Sequence, residues 1–203
     1  MALLRVIEDD GSMIAIWQTT ESEEELKELV NMDLADIYSY PKRRIERMAV
    51  RAILNSLGIN DEVCYHQNGR PYFKEKPIHI SISHAGRIVV VALNKSKHIG
   101  IDVESINRNY KAVSKKYLTS DEQAWINDEN LKFMSLAWCT KEAVYKLPWK
   151  DFKCFNTDIN IKKVSSIQEK GIIEAEVFDQ NSIHPVILNY LFFSEFCLVW
   201  IVR

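Results

Sequence analysis

Cysteine is sparse and unpatterned in this chain: Cys64, Cys139, Cys154 and Cys197 form no CxxC pair and have no histidine at zinc-ligand spacing. That excludes a zinc-finger framework and leaves reduced core or surface thiols. An excess of one charge is missing too. With 26 basic and 28 acidic residues the formal net charge is −2, so nothing global draws the chain to nucleic acid or to a membrane surface, and electrostatic recognition has to be local. Long apolar runs are absent. The densest, Phe196 to Val202, is far too short to cross a bilayer, and Met1 to Asp10 has neither the basic start nor the apolar stretch of a signal peptide. No repeat or low-complexity segment interrupts the sequence. The expected setting is cytoplasmic and reducing.

What the chain does have is apolar material for one sizeable core or two small ones, with 47% hydrophobic residues over a length of 203. Leu3 to Glu8 and Met13 to Trp17 read as strands joined across Asp9-Asp10-Gly11, where glycine tolerates positive φ. Ser22 with Glu25 three residues later has the pattern of a capping box, and Glu23 to Glu25 suit a helix N-terminus, so this acidic run is assigned to helix chemistry. From Pro41 to Leu57 apolar residues recur at helical spacing until Gly58 ends the run. Strands flank Asn68-Gly69; Ile78 to Ser83 alternates and breaks into a turn at His84-Ala85-Gly86, and Ile88 to Leu93 is a buried run. Three helical segments follow, Tyr110 to Tyr117, Ser120 to Asp128 and Lys132 to Leu147, the last stopped by Pro148. Asn156 to Lys163, Gly171 to Phe178, Ile183 to Phe193 and Phe196 to Val202 read as strands. The class is mixed α/β (α+β), and the polar stretch Asn94 to Lys97 divides the chain into domains 1–97 and 98–203.

Several places carry chemistry, each with a plainer alternative. In Ile99-Gly100-Ile101-Asp102-Val103-Glu104 the period of two points Ile99, Ile101 and Val103 inward and sets Gly100, Asp102 and Glu104 on the other face. A strand's rise puts the two acidic Cα atoms about 6 to 7 Å apart. Such a pair is either the wet face of an edge strand or a convergence on a hard divalent cation such as Mg²⁺. The helix from Pro41 carries Arg44, Arg47 and Arg51 at i, i+3 and i+7, behind Lys42 and Arg43. Cations in a first turn oppose the helix dipole unless an anion sits nearby, so this face is a phosphate or acidic-partner site or simply a solvated basic face. Ser83 and His84 fall at a strand end, for ligand contact or for turn chemistry. Thr119 with Glu122 repeats the capping-box pattern, so Glu122 is a reciprocal cap or a catalytic carboxylate. Glu142 and Lys146 share a helix face at i, i+4, a spacing common to surface ion pairs.

In order and spacing, Gly69-Arg70-Pro71, Ser81-Ile82-Ser83-His84, Gly100-Ile101-Asp102-Val103-Glu104 and Trp138-Cys139-Thr140-Lys141-Glu142-Ala143-Val144-Tyr145-Lys146 resemble the motifs of the 4'-phosphopantetheinyl transferases, particularly the larger single-chain type that activates peptide and polyketide synthases. The resemblance runs from Arg43 to Lys146. It implies two similar α/β subdomains related by a pseudo-twofold, with coenzyme A in the cleft between them. It also implies Mg²⁺ on Asp102, Glu104 and Glu142, and Lys146 on the coenzyme's phosphates. Ser83 and His84 match the motif that holds the adenosine 3'-phosphate end. Arg70 stands at a basic nucleotide-binding position, Arg44 and Arg51 resemble helix residues that approach the same phosphates, and Glu122 aligns with a glutamate that serves as general base. Departures are Ala85 for a second serine, Arg70 for the more usual lysine, and Leu147-Pro148-Trp149 where glycines often follow the helix.

The implied reaction moves the phosphopantetheine arm of coenzyme A to a serine of an apo acyl or peptidyl carrier protein and releases adenosine 3',5'-bisphosphate. It would be carried out by a monomeric, Mg²⁺-dependent enzyme of fatty acid, polyketide or nonribosomal peptide biosynthesis, with no nucleic-acid or membrane partner. Phosphoryl transfer asks such a protein for positioning and charge neutralisation. The carrier's acidic surface implies docking on local basic and apolar surface. Two other classes remain: a different Mg²⁺-dependent phosphoryl or nucleotidyl transferase, and a non-catalytic module that binds coenzyme A or a carrier.

Overall fold

The computed structural model describes residues 3–32, 38–149, 154–164, 166–180 and 182–203. The chain is mixed α/β and forms two compact units, Met1–Lys97 and His98–Arg203. No helix among the described residues is long and apolar enough to cross a membrane.

In the first unit β1 (Leu3–Asp9) and β2 (Ser12–Gln18) form a hairpin whose turn holds Asp10 and Gly11 at φ 42° and 71°. With β5 (His79–Ala85) and β6 (Ile88–Asn94) they make an antiparallel sheet in the order β1-β2-β6-β5. Helix α1 (Glu23–Val30) opens with both hydrogen bonds of the Ser22–Glu25 capping box, and α2 (Pro41–Ser56) starts at its proline. Met48, Ala49 and Ile53 of α2 share a core with Ala15, Trp17, Val89 and Val91 of the sheet. A small hairpin, β3 (Val63–Tyr65) and β4 (Pro71–Phe73), pairs Tyr65 with Pro71, so Asn68-Gly69 sits inside the wider loop 66–70. Contrary to the expected turn at His84-Ala85-Gly86, β5 continues through His84, which pairs with Val89, and through Ala85. The reversal comes at Gly86, φ 57°.

The second unit is a five-stranded antiparallel sheet in the order β7-β11-β10-β9-β8. Its strands are β7 (Ile99–Ser105), β8 (Ile159–Ile161), β9 (Lys170–Asp179), β10 (Ser182–Phe193) and β11 (Phe196–Val202). A 3-10 turn (Lys111–Val113) leads into α3 (Ser114–Tyr117) and α4 (Ser120–Trp125), and α5 (Leu131–Tyr145) packs across β7 and β11. The stretch read as a strand from Asn156 begins instead as α6 (Phe155–Asp158), where the Asp158 carboxylate accepts the Cys154 N–H at 2.9 Å. That local bond competes with the ladder and delays the strand to Ile159.

One glycine sets the position of α5. A Cβ built on Gly100 would lie 2.0 Å from the carbonyl oxygen of Ala143, so only a residue without a side chain lets the helix backbone come this close to the strand. Cys139, Ala143 and Val144 of α5 join Cys197, Val199 and Ile201 of β11 in one core. In the register, Cys197, Val199 and Ile201 stand opposite Glu104, Asp102 and Gly100. The face of β7 that carries the carboxylates is therefore the face beneath α5. This corrects the wet-face alternative for Asp102, which is buried, and Ile99, Ile101 and Val103 on the other face are buried as well.

Candidate active site

The contact at Gly100 brings two motifs together that lie some forty positions apart in the chain. Lys146, just past the end of α5, donates from Nζ to the Ile101 carbonyl at 2.7 Å and to Asp102 Oδ1 at 2.9 Å. Glu104 pairs with the guanidinium of Arg108, which lies over the Trp138 indole, 4.4 Å from the ring centroid. Glu142 feels both other carboxylates. Burial first, then the charge of Asp102, push its carboxyl up to about 7 against the pull of Lys146, and Glu104 adds to the rise. Glu104 is raised as well, by burial and then by Asp102. Asp102 and Glu104 thus both disfavour the charged form of Glu142, and Asp102 disfavours that of Glu104.

Among the described residues no set of three or more His, Cys, Asp or Glu side chains stands in ready metal-ligating geometry. Instead Lys146 and Arg108 answer Asp102 and Glu104. The donor set is nonetheless all carboxylate oxygen, and its mutual repulsion is the condition a hard divalent cation relieves. The chemistry of the cluster fits Mg²⁺ once those two cations let go.

Glu122 lies elsewhere and is fully buried. Its Oε2 accepts the Thr119 N–H at 2.7 Å and the Lys141 ammonium at 2.6 Å, and its Oε1 accepts the Ile161 N–H at 2.7 Å. Lys141, also buried, donates further to the carbonyls of Phe155 and Ile159. Of the two readings of Glu122, the reciprocal cap is present: its carboxylate holds three donors and none of its surface reaches solvent. It caps α4 and ties α4, α5 and β8 together.

A second candidate region belongs to the first unit. Arg43, Glu46, Arg47 and Val50, one face of α2, line a cavity of ≈ 150 Å³ with Tyr65, Gly69, Pro71, Ile82 and His84. Arg47 lies 3.7 Å above the Tyr65 ring, and burial lowers its guanidinium below the ordinary value. His84 Nδ1 meets Glu46 Oε1 at 3.2 Å. The pocket gathers the basic helix, the Gly69-Arg70-Pro71 loop and the end of β5, three segments singled out in the sequence. A larger cavity, ≈ 690 Å³, lies near the β1–β2 turn against Leu57, Ile59 and Leu93 and contains none of the motif residues.

The cations of α2 divide into two sets. Arg44 forks onto Glu23 of α1, with Nη2 donating to Oε2 at 3.0 Å, and Nη1 donates to the carbonyls of Tyr38 and Ser39. Arg51 donates to the carbonyls of Ile59 and Asp61. Neither lines the cavity, because i, i+7 positions share a face turned about 70° from that of Arg43 and Arg47. Ser83 is separated from His84 in the same way, since neighbours on a strand point to opposite faces; His84 lines the cavity and buried Ser83 does not. Arg70 donates its backbone N–H to Asn68 Oδ1, and the cavity wall is formed by its neighbours Gly69 and Pro71. Glu46 and Arg108 were not singled out in the sequence, and Arg43 and Lys141 were named there without a role. For Arg43 and Glu46 the signal was the i, i+3, i+4 face shared with Arg47. For Lys141 and Arg108 only the folded chain reveals the partner.

The model of the 4'-phosphopantetheinyl transferase superfamily matches residues 98–186. A curated protein of Haemophilus influenzae, provisionally named as a 4'-phosphopantetheinyl transferase, is 36% identical over 87 residues, covering 39% of this chain and 37% of the relative's own length. Residues 98–186 are thus similar to the 4'-phosphopantetheinyl transferase superfamily, and the chain spans little more than a third of the relative's length.

Proposed function

We propose that this protein is a phosphopantetheinyl transferase of the larger single-chain type, which moves the arm of coenzyme A to a serine of an apo acyl or peptidyl carrier protein. The reading is supported above all by one observation: the Gly100 contact sets the strand of Asp102 and Glu104 against the helix of Glu142, with Lys146 bonded to Asp102, inside the segment that matches the family model. In this reading the chain works as a cytoplasmic monomer.

In this reading each charged group has its own part. Bound by Asp102, Glu104 and Glu142, Mg²⁺ would supply neutralisation of the coenzyme's diphosphate. Lys146 is partly exposed and held by a single carboxylate oxygen and a carbonyl, so its ammonium can turn to the charge that builds on the leaving group. Arg43, Arg47 and His84 offer the cavity of the first unit to the phosphate of the adenosine end, with Ser83 and Arg70 as neighbours. Glu122 serves the fold, so the proton of the carrier serine goes to another acceptor.

Incubation with coenzyme A, Mg²⁺ and a panel of apo carriers, read by intact mass, tests the proposal. The expected result is a carrier heavier by one phosphopantetheine arm. A phosphorylated product without the arm would mark another phosphoryl transferase, and coenzyme A binding without any product a binding module.

A further inference from the structure

Arg108 has no role in the reading above, yet it is the cation that holds Glu104. Its guanidinium is fixed by two neighbours of different kind: the Glu104 carboxylate, and the face of Trp138, with the Tyr110 ring 5.8 Å away. Trp138 stands one turn before Glu142 on α5, so Arg108 spans the strand and the helix that carry the acidic cluster. The bond to Glu104 uses one of five guanidinium donors. The side chain is 38% exposed, against 1% for Lys141, so it can move without opening the core. Stacking on the indole survives such a movement, because an arginine keeps a ring contact while its edge changes partner.

The charge count favours an exchange. With all three carboxylates ionised, Lys146 and Arg108 leave the cluster one negative charge in excess. A divalent cation alone would turn that into one positive charge in excess, and a diphosphate carrying two negative charges would restore the original balance. We infer that Arg108 is the exchangeable counterion of this cluster: it holds Glu104 while no divalent cation is bound, and passes to the coenzyme's diphosphate when one is. The inference rests on the proposed cation site. It makes Arg108 a competitor of the cation and a binder of the coenzyme at once.

These two roles predict effects of opposite sign in two binding measurements on the full chain. Mn²⁺ affinity is read by electron paramagnetic resonance without coenzyme, and coenzyme A affinity by calorimetry with Mg²⁺ present. Arg108→Gln should bind Mn²⁺ about three- to tenfold more tightly than the native chain, because one competing charge is gone. It should bind coenzyme A about tenfold more weakly, because a charge-assisted contact is lost. Arg108→Lys should lie between the two on both scales. Equal affinities, or a loss in both measurements, would overturn the exchange and reduce Arg108 to a structural tie. If the native chain shows no Mn²⁺ binding that Glu142→Gln weakens, the cation site itself fails and the exchange with it; if that binding is present but indifferent to Arg108→Gln, only the exchange fails.

Discussion

Lys141 on helix α5 and Lys146 just past its end lie five positions apart, each paired with a carboxylate, and the two pairs differ in what is left over. Lys141 and Glu122 are 1% and 0% exposed, and their bonds run to one another and to backbone groups of three segments. Lys146 is 24% exposed and meets Asp102 in a cluster whose three carboxylates repel one another. The first pair is saturated and the second is not. Saturation separates charge that builds the fold from charge that can still bind something, and α2 repeats the pattern, with Arg44 and Arg51 spent on carboxylate and carbonyls while Arg43 and Arg47 border a cavity.

The largest way to break the comparison is at the saturated end. Lys141→Met leaves a buried carboxylate without its cation and should destabilise the chain by about 3 to 5 kcal/mol in urea unfolding. Adding Glu122→Gln, which still caps α4, should return much of that loss. Next comes the contact that joins the two ends. Gly100→Ala drives a Cβ into the Ala143 carbonyl and should cost about 3 kcal/mol by thermal or urea unfolding, with a loss of transfer beyond what the unfolded fraction explains.

The unsaturated end predicts a pH dependence. Folding raises the Glu142 carboxyl from its ordinary 4.5 to about 7, so the folded chain keeps a proton that the unfolded chain has released. Stability from this group is full below about pH 4.5 and is lost as pH climbs through about 7. Without divalent cations, Glu142→Gln should therefore be more stable than the native chain by about 1 to 2 kcal/mol at about pH 8, and the difference should vanish at about pH 4. The smallest effects sharpen the contrast on α2. Arg44→Ala should cost about 1 kcal/mol of stability and leave coenzyme A affinity nearly unchanged. Arg47→Ala should do the reverse, weakening coenzyme A about tenfold in calorimetry with little change in unfolding.

Local chemistry was legible in the sequence wherever cause and effect lie within a few residues. Both capping boxes, the β1–β2 turn and the extent of α2 follow from side chains that answer to their own backbone. The acidic cluster was legible only as a resemblance, because the spacing of Asp102 and Glu104 fits a wet strand face as well as a covered one. What decides is Gly100, whose missing Cβ admits α5, and a strand's alternation does not say which of its faces meets a helix. The arginines of α2 could not be told apart for a related reason: five cations fall within ten residues of the helix, and only the partners Glu23, Ile59 and Asp61 reveal which are bonded within the chain. Lys141 was hidden altogether. A lysine in a helix reads as solvated until a carboxylate from another element, with two carbonyls, accounts for each of its donors.

The direct test of saturated against unsaturated charge is the single-turnover rate of arm transfer to an apo carrier, measured at matched folded fraction for the double variant Glu122→Gln, Lys141→Met and for Glu142→Gln. Transfer within a few-fold of the native rate in the double variant, with a loss of about a hundredfold or more in Glu142→Gln, is the expected outcome. A folded double variant that loses as much rate as Glu142→Gln would return Glu122 to the chemistry and contradict this account.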